Sequence, residues 1–248
     1  MMASLAAAAR ARLGPGPKAL LRATADRLFY SVGSINGAEN PRPEIALTFD
    51  DGPDPDVTPR LLDLLAERKV HATFFVLSER LRKWPQIVAR MAHEGHEVGL
   101  HFDRHVAITT LSPTEARARI IAARDEIQAV AGPITWFRPP FGRQSLTTYR
   151  IARSLGLEIV VWGPYAEDWV EQSPASAAAR AMRNLKAGDV LLLHDGAEMP
   201  EGQLPPTLDK VEMVNLILDN LQAAGLSGVS VGALLDGRRP RRTAWFRD

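Results

Sequence analysis

Seven short runs rich in Val, Ile, Leu and Phe recur along the chain, and six longer stretches with helically spaced apolar residues lie between them. The runs span residues 45–49, 72–77, 97–100, 135–137, 158–162, 190–193 and 228–231. The helical stretches span 58–67, 84–94, 113–130, 146–155, 174–185 and 208–224. Ser112 and Ser173, each followed by proline, mark helix starts, and Gly95, Gly132, Gly156, Gly188 and Gly225 fall just past helix ends. Such alternation predicts parallel strands, since a crossover helix must carry the chain back to begin the next one. The number of units suits an α/β barrel better than an open doubly wound sheet, with a flavodoxin-like open sheet as the alternative.

At 248 residues the chain is long enough to bury a full core. Breakers at Gly14, Pro15, Gly16, Pro17, Pro41 and Pro43 set off residues 1–43 as an N-terminal extension. The main domain is expected over 44–236, followed by a basic tail, 237–248, that reads as a solvated end. Within the extension, 19–32 is expected to form an amphipathic helix packed on the barrel rather than lying on a membrane surface. Arg10 and Arg12 interrupt the short Ala-rich start too early for a secretory signal, and no apolar run approaches a bilayer span. The expectation is a cytoplasmic protein with no transmembrane segment. A net charge of +1 offers no field for nucleic acid, and nothing in the sequence speaks to oligomeric state. Cysteine is absent, so any metal must be held by His, Asp or Glu.

In a barrel the chemistry sits past the carboxyl ends of the strands. Asp50 and Asp51 follow the first run, His101 and His105 the third, and Arg138 the fourth; Asp168 and Trp169 follow the fifth, and His194 and Asp195 the sixth. Histidines four apart fall on one side of a helical turn, and a carboxylate from the first strand completes a three-ligand set. Zinc suits such mixed nitrogen and oxygen donors, with cobalt or another first-row ion as alternatives. Of the two adjacent aspartates, one would bind the cation and the other would accept a proton as metal-activated water attacks a carbonyl. Arg138 can hold a carboxylate bidentately, and His194 can protonate a leaving amine. By contrast "HEGHE", with His93 and His96, is one residue short of the H-E-x-x-H pattern; His93 reads as exposed and His96 as hydrogen-bonded structure.

These segments resemble the five motifs of the polysaccharide deacetylase, or NodB-homology, family of carbohydrate esterases. "TFDDGP" at Thr48 to Pro53 matches the first motif residue for residue. "HFDRH" is similar to H-[ST]-x-x-H, "RPPFG" to R-P-P-[YF]-G, "EDW" to the end of D-x-x-D-W, and "LLLHD" to L-x-H. The resemblance runs from about Glu44 to Leu235 and implies a distorted, incomplete (β/α)7 TIM-like barrel that removes acetyl groups with a divalent metal. It implies Asp50 as base, Asp51, His101 and His105 as metal ligands, His194 as acid and Arg138 as the group positioning Asp50. Pro140, Phe141, Tyr165 and Trp169 would border the substrate, the backbone near Phe141 helping to hold the oxyanion. Two positions depart from the pattern. Phe102 stands where the family has Ser or Thr, and Tyr165 stands where it has the Asp that tunes the acid histidine, so that either Asp168 substitutes for it or His194 is tuned in another way.

The function expected is hydrolytic removal of an N-acetyl group from an acetamido sugar in an oligosaccharide, polysaccharide or sugar conjugate. Hydrolysis of another small amide, such as a formamido sugar, is one alternative. A non-catalytic carbohydrate-binding relative is the other, disfavoured because Asp50 and His194 are retained.

Overall fold

The computed structural model describes residues 33–199, 202 and 204–246. The helix expected over 19–32 lies outside them. Nine strands are described: β1 (Ser34–Ala38), β2 (Glu44–Asp50), β3 (Thr73–Val76), β4 (Glu97–Leu100), β5 (Trp136–Phe137), β6 (Glu158–Ile159), β7 (Val190–His194), β8 (Ser227–Val229) and β9 (Pro240–Thr243). The helices are α1 (Thr58–Glu67), α2 (Ser78–Lys83), α3 (Pro85–His93), α4 (Pro113–Ala131), α5 (Leu146–Ser154), α6 (Pro174–Met182), α7 (Lys210–Ala223) and α8 (Val231–Leu235).

Six strands form one parallel path, β6-β5-β4-β3-β2-β7, and β8 also pairs with β2. The sheet curls into an α/β half-barrel of the (β/α)7 kind. Because strand side chains alternate, Ile45, Leu47 and Phe49 join the large core under the helices, whereas Ala46 joins a smaller interior cluster with Ile35, Phe75, Val160 and Val190. The inward face of β2 therefore reads Ala46, Thr48, Asp50, apolar at the base and charged at the mouth.

Parallel register levels the strand ends. Asp50 sits opposite His194, and Leu100 opposite Phe137, so the residues that follow reach the mouth at one height.

The helix expected over 84–94 is α3, and a short helix not expected from sequence, α2, precedes it; the two are separated at Trp84, because Pro85 bars its predecessor from helical backbone and leaves it at φ −135°, ψ 58°. One expectation is corrected. The basic C-terminal segment, read as a solvated end, is strand β9, antiparallel to β1. Its arginines have internal carboxylates to meet: Arg241 pairs with Asp189 at 2.6 Å and Arg242 with Glu158 at 2.9 Å. Strand β1 in turn lies along the open seam, bridging to Val160 beyond β6 and to Asp189 ahead of β7.

Phe75 crosses the interior where β4 carries Gly99; a Cβ there would stand 2.9 Å from two ring atoms of Phe75 and 3.1 Å from the Trp136 carbonyl oxygen. Gly99→Val is therefore expected to destabilise the fold by about 1–3 kcal/mol, read as a lower urea midpoint at unchanged slope.

Candidate active site

Arg138 is wholly buried, and its Nη1 donates to Asp50 Oδ1 at 2.7 Å and to Thr48 Oγ1 at 2.8 Å. Nε donates to the Val160 carbonyl at 3.1 Å, and the guanidinium lies 4.1 Å from the centre of the Phe75 ring. Asp50 is thereby clamped through one oxygen. Its other oxygen, Oδ2, faces His101 Nε2 at 3.9 Å.

Asp51 makes a different set of contacts. Its Oδ1 lies 3.2 Å from His101 Nε2 and 3.5 Å from His105 Nε2, and has no hydrogen-bond partner although buried. His101 Nδ1 lies 2.8 Å from the Arg138 carbonyl oxygen, which can only accept, so Nδ1 carries a proton, and in that neutral tautomer Nε2 presents its lone pair to Asp51. Burial pushes His105 down to about 4, keeping it neutral at physiological pH. Lone pairs converging on an unpartnered buried carboxylate oxygen are the donor set of a divalent cation, and Asp51, His101 and His105 form a three-ligand group within 4.8 Å.

On the same mouth, His194 Nδ1 donates to Asp168 Oδ1 at 2.8 Å, and the His194 backbone N–H donates to Asp168 Oδ2, also at 2.8 Å. Burial pushes the imidazole down, but Asp168, with Asp51 and Asp50 nearby, more than reverses this and raises it to about 8. Next to it Asp195 is buried against Gly52 and accepts from the Thr58 hydroxyl at 2.7 Å; burial pushes its carboxyl up to about 7. Gly196 touches the Asp51 backbone, where a Cβ has no room. The two acidic turns thus pack backbone to backbone.

These groups open into a cleft of about 560 Å³. Asp50, Asp51, His101, His105 and His194 line it, together with Phe141 and Trp169. Pro140 is buried in the turn before Phe141, and Tyr165 stacks on Trp169, ring centres 5.7 Å apart. Trp162, not singled out from sequence, also lines the cleft, as do Glu198 and Met199 of the loop after His194 that the sequence sets beside the groove. Trp162 ends the fifth apolar run, which was its only signal; Glu198 arrives through an ion pair with Arg80 at 2.7 Å, which has no local sequence mark. His96 stands apart, its Nδ1 accepting from the Ala72 N–H at 3.1 Å, and His93 is exposed.

The sequence model of the polysaccharide deacetylase family matches residues 37–160. A peptidoglycan-N-acetylglucosamine deacetylase of Bacillus cereus is 34% identical over 193 residues, covering 77% of this chain and 87% of its own. The chain belongs to the polysaccharide deacetylase family. A chitooligosaccharide deacetylase of Sinorhizobium fredii is 32% identical over 161 residues, 64% of this chain and 75% of its own. A crystal structure of a peptidoglycan N-acetylglucosamine deacetylase superposes with a TM-score of 0.77 at 28% identity, over 90% of this chain and 100% of that one.

Within this family Phe102 and Tyr165 are the departures, and the structure shows what replaces the missing groups. Phe102 is fully buried at φ 97°, a backbone region costly for a side chain of its size. It is held there by packing and by its neighbours: the Arg119 guanidinium stands 5.0 Å from its ring and binds Asp103 through two 2.9 Å bonds. The Phe102 and Asp103 carbonyls also accept from the N–H groups of Ser78 and Glu79 that begin α2. The histidine turn is braced by packing and backbone, not by a hydroxyl. At the other departure the carboxylate beside His194 is Asp168, and Tyr165 has become an outer wall. Phe102→Ser, which restores the family's hydroxyl, is expected to cost about 3–5 kcal/mol in chemical denaturation, since serine recovers none of the buried ring and keeps the strained backbone.

Proposed function

We propose that this protein is a metal-dependent hydrolase that removes the N-acetyl group from an acetamido sugar of an oligosaccharide, polysaccharide or sugar conjugate. The observation that carries this reading is the division of two adjacent carboxylates between two environments: Asp50 is fixed by Arg138, and Asp51 faces two lone-pair nitrogens with an unpartnered oxygen. The names of the relatives, deacetylases of N-acetylglucosamine units in peptidoglycan and of chitooligosaccharides, support the substrate class.

Zinc, or another first-row divalent ion, would be held by Asp51, His101 and His105, and when bound supplies polarisation of the amide carbonyl and acidification of water. The remaining work falls to the protein. Asp50, with Oδ1 committed to Arg138, keeps Oδ2 available to accept a proton from attacking water. His194, its Nδ1 committed to Asp168, points its other ring nitrogen to the cleft and delivers a proton to the amine as the C–N bond breaks. Acetate and a free sugar amine leave. Phe141 and Trp169, both half-exposed, offer apolar faces to the sugar ring.

Two outcomes are expected. Purified protein loaded with zinc should hold about one ion per chain by mass spectrometry, and His101→Ala/His105→Ala should lose both the metal and acetate release from N-acetylglucosamine oligomers. Metal retention without acetate release, but with formate release from a formamido sugar, would redirect the reading to another small amide. The second concerns pH. An acid raised to about 8 is protonated below that value, so turnover should fall as pH rises through it. Asp168→Asn removes the charge that raises His194, so the alkaline limb should move to lower pH as well as the rate falling; an unmoved limb would exclude His194 as the acid.

A further inference from the structure

A second cavity, of about 550 Å³, lies on the other side of Tyr165 and has no role in the chemistry above. Four cations line it: Arg180 at the end of α6, Arg183 and Lys186 in the segment that follows, and Arg241 from β9. One carboxylate, Asp189, lines it and is committed to Arg241 at 2.6 Å. Glu167 holds Arg180 at 2.6 Å. Among the described residues Arg183 and Lys186 form no ion pair, and both are exposed. Basic groups at a helix carboxyl end are ordinary, because they oppose its dipole. Arg241, however, comes from the far end of the chain, and Tyr165 from the loop after β6; the helix end does not account for their meeting there.

Tyr165 joins this cavity to the catalytic cleft. Its ring lines the basic cavity and stacks on Trp169 at an interplanar angle of 24°, and Trp169 meets the His194 ring edge-on at 5.3 Å. Tyr165 and Trp169 are 40% and 41% exposed, so the stacked pair forms a continuous apolar edge leading from the acid histidine to the cations. Pyranose rings pack their C–H faces on such surfaces, and guanidinium groups bind carboxylates and phosphates through paired N–H donors.

We infer that this cavity is a subsite for an anionic substituent, a carboxylate or a phosphate, carried on the same glycan whose acetamido group enters the catalytic cleft. The inference rests on the deacetylase reading for its substrate and adds that the substrate is acidic. The aromatic edge carries the sugar chain past His194, and the cations fix its register by charge.

The test uses the full chain, zinc-loaded, and Arg183→Glu/Lys186→Glu, whose folding is checked by its melting curve. Acetate release is compared for three oligosaccharides of equal length, all acetamido sugars: one neutral, one carrying carboxylates, one carrying phosphates. Wild type should prefer at least one anionic chain in kcat/KM, the variant should lose that preference about tenfold, mainly in KM, and added salt should erode it. The substituent that gives the effect identifies the natural anion. Equal kcat/KM on all three chains, or a preference the variant retains, overturns the subsite. If no chain releases acetate, the deacetylase reading fails on its own, and calorimetric Kd values for the same three chains still decide the subsite: tighter anionic binding lost in the variant sustains it, and equal binding overturns it.

Discussion

The buried Arg138 guanidinium is the constraint around which the mouth of the barrel is arranged. Removing such a charge from water costs several kcal/mol, and that cost is offset only when its donors are matched. Here the acceptors come from Asp50, Thr48 and the Val160 backbone, so one side chain ties the end of β2 to the segment beyond β6. Phe75 closes one face of it. The Arg138 backbone carbonyl meanwhile sets the tautomer of His101. A single residue therefore immobilises the carboxylate at one end of the site and orients a nitrogen donor at the other, which is the outer support a metal ligand needs.

A second constraint is backbone strain shared among three turns. Asp51, Phe102 and Phe141 all have positive φ, at 71°, 97° and 57°. None is glycine, so each is unfavourable alone. Their surroundings hold them: Asp51 by Gly52 and Gly196, which admit the Asp195 carboxyl and the opposing backbone; Phe102 by burial and the Arg119–Asp103 pair; Phe141 by Trp245, whose indole N–H donates to the Gly142 carbonyl at 3.0 Å and whose ring lies 5.2 Å from that of Trp162. The C-terminal strand thus reaches the site indirectly, through the turn that presents Phe141.

What the sequence made legible follows from range. Strand ends could be read because apolar runs stop abruptly at charged residues, so Asp50, His101, Arg138 and His194 announced their height in the barrel before any pairing was known. The α1 limits were legible to the residue, since Pro59 and the polar residues after Glu67 are local signals. The pairing of β1 with β9 was not, because it joins segments some 200 residues apart and its determinants, Asp189 for Arg241 and Glu158 for Arg242, lie elsewhere in the chain. Trp162 and the Glu198–Arg80 pair escaped notice for the same reason: each reaches the cleft through contacts made across the fold.

That a buried strand ends on two acids has its reason in the backbone. On a regular strand, neighbouring side chains point to opposite faces, and Asp51 would have turned into the apolar layer under the helices. The left-handed conformation at Asp51 ends the strand instead and swings its carboxyl over the mouth. Adjacent carboxylates repel and favour protonation of one of them unless each finds its own positive partner. Asp50 has the guanidinium; Asp51 has two imidazole nitrogens and an oxygen left without a hydrogen-bond partner. The asymmetry gives the second carboxylate, grouped with His101 and His105, a setting that suits a cation, and leaves one oxygen of the first uncommitted to Arg138.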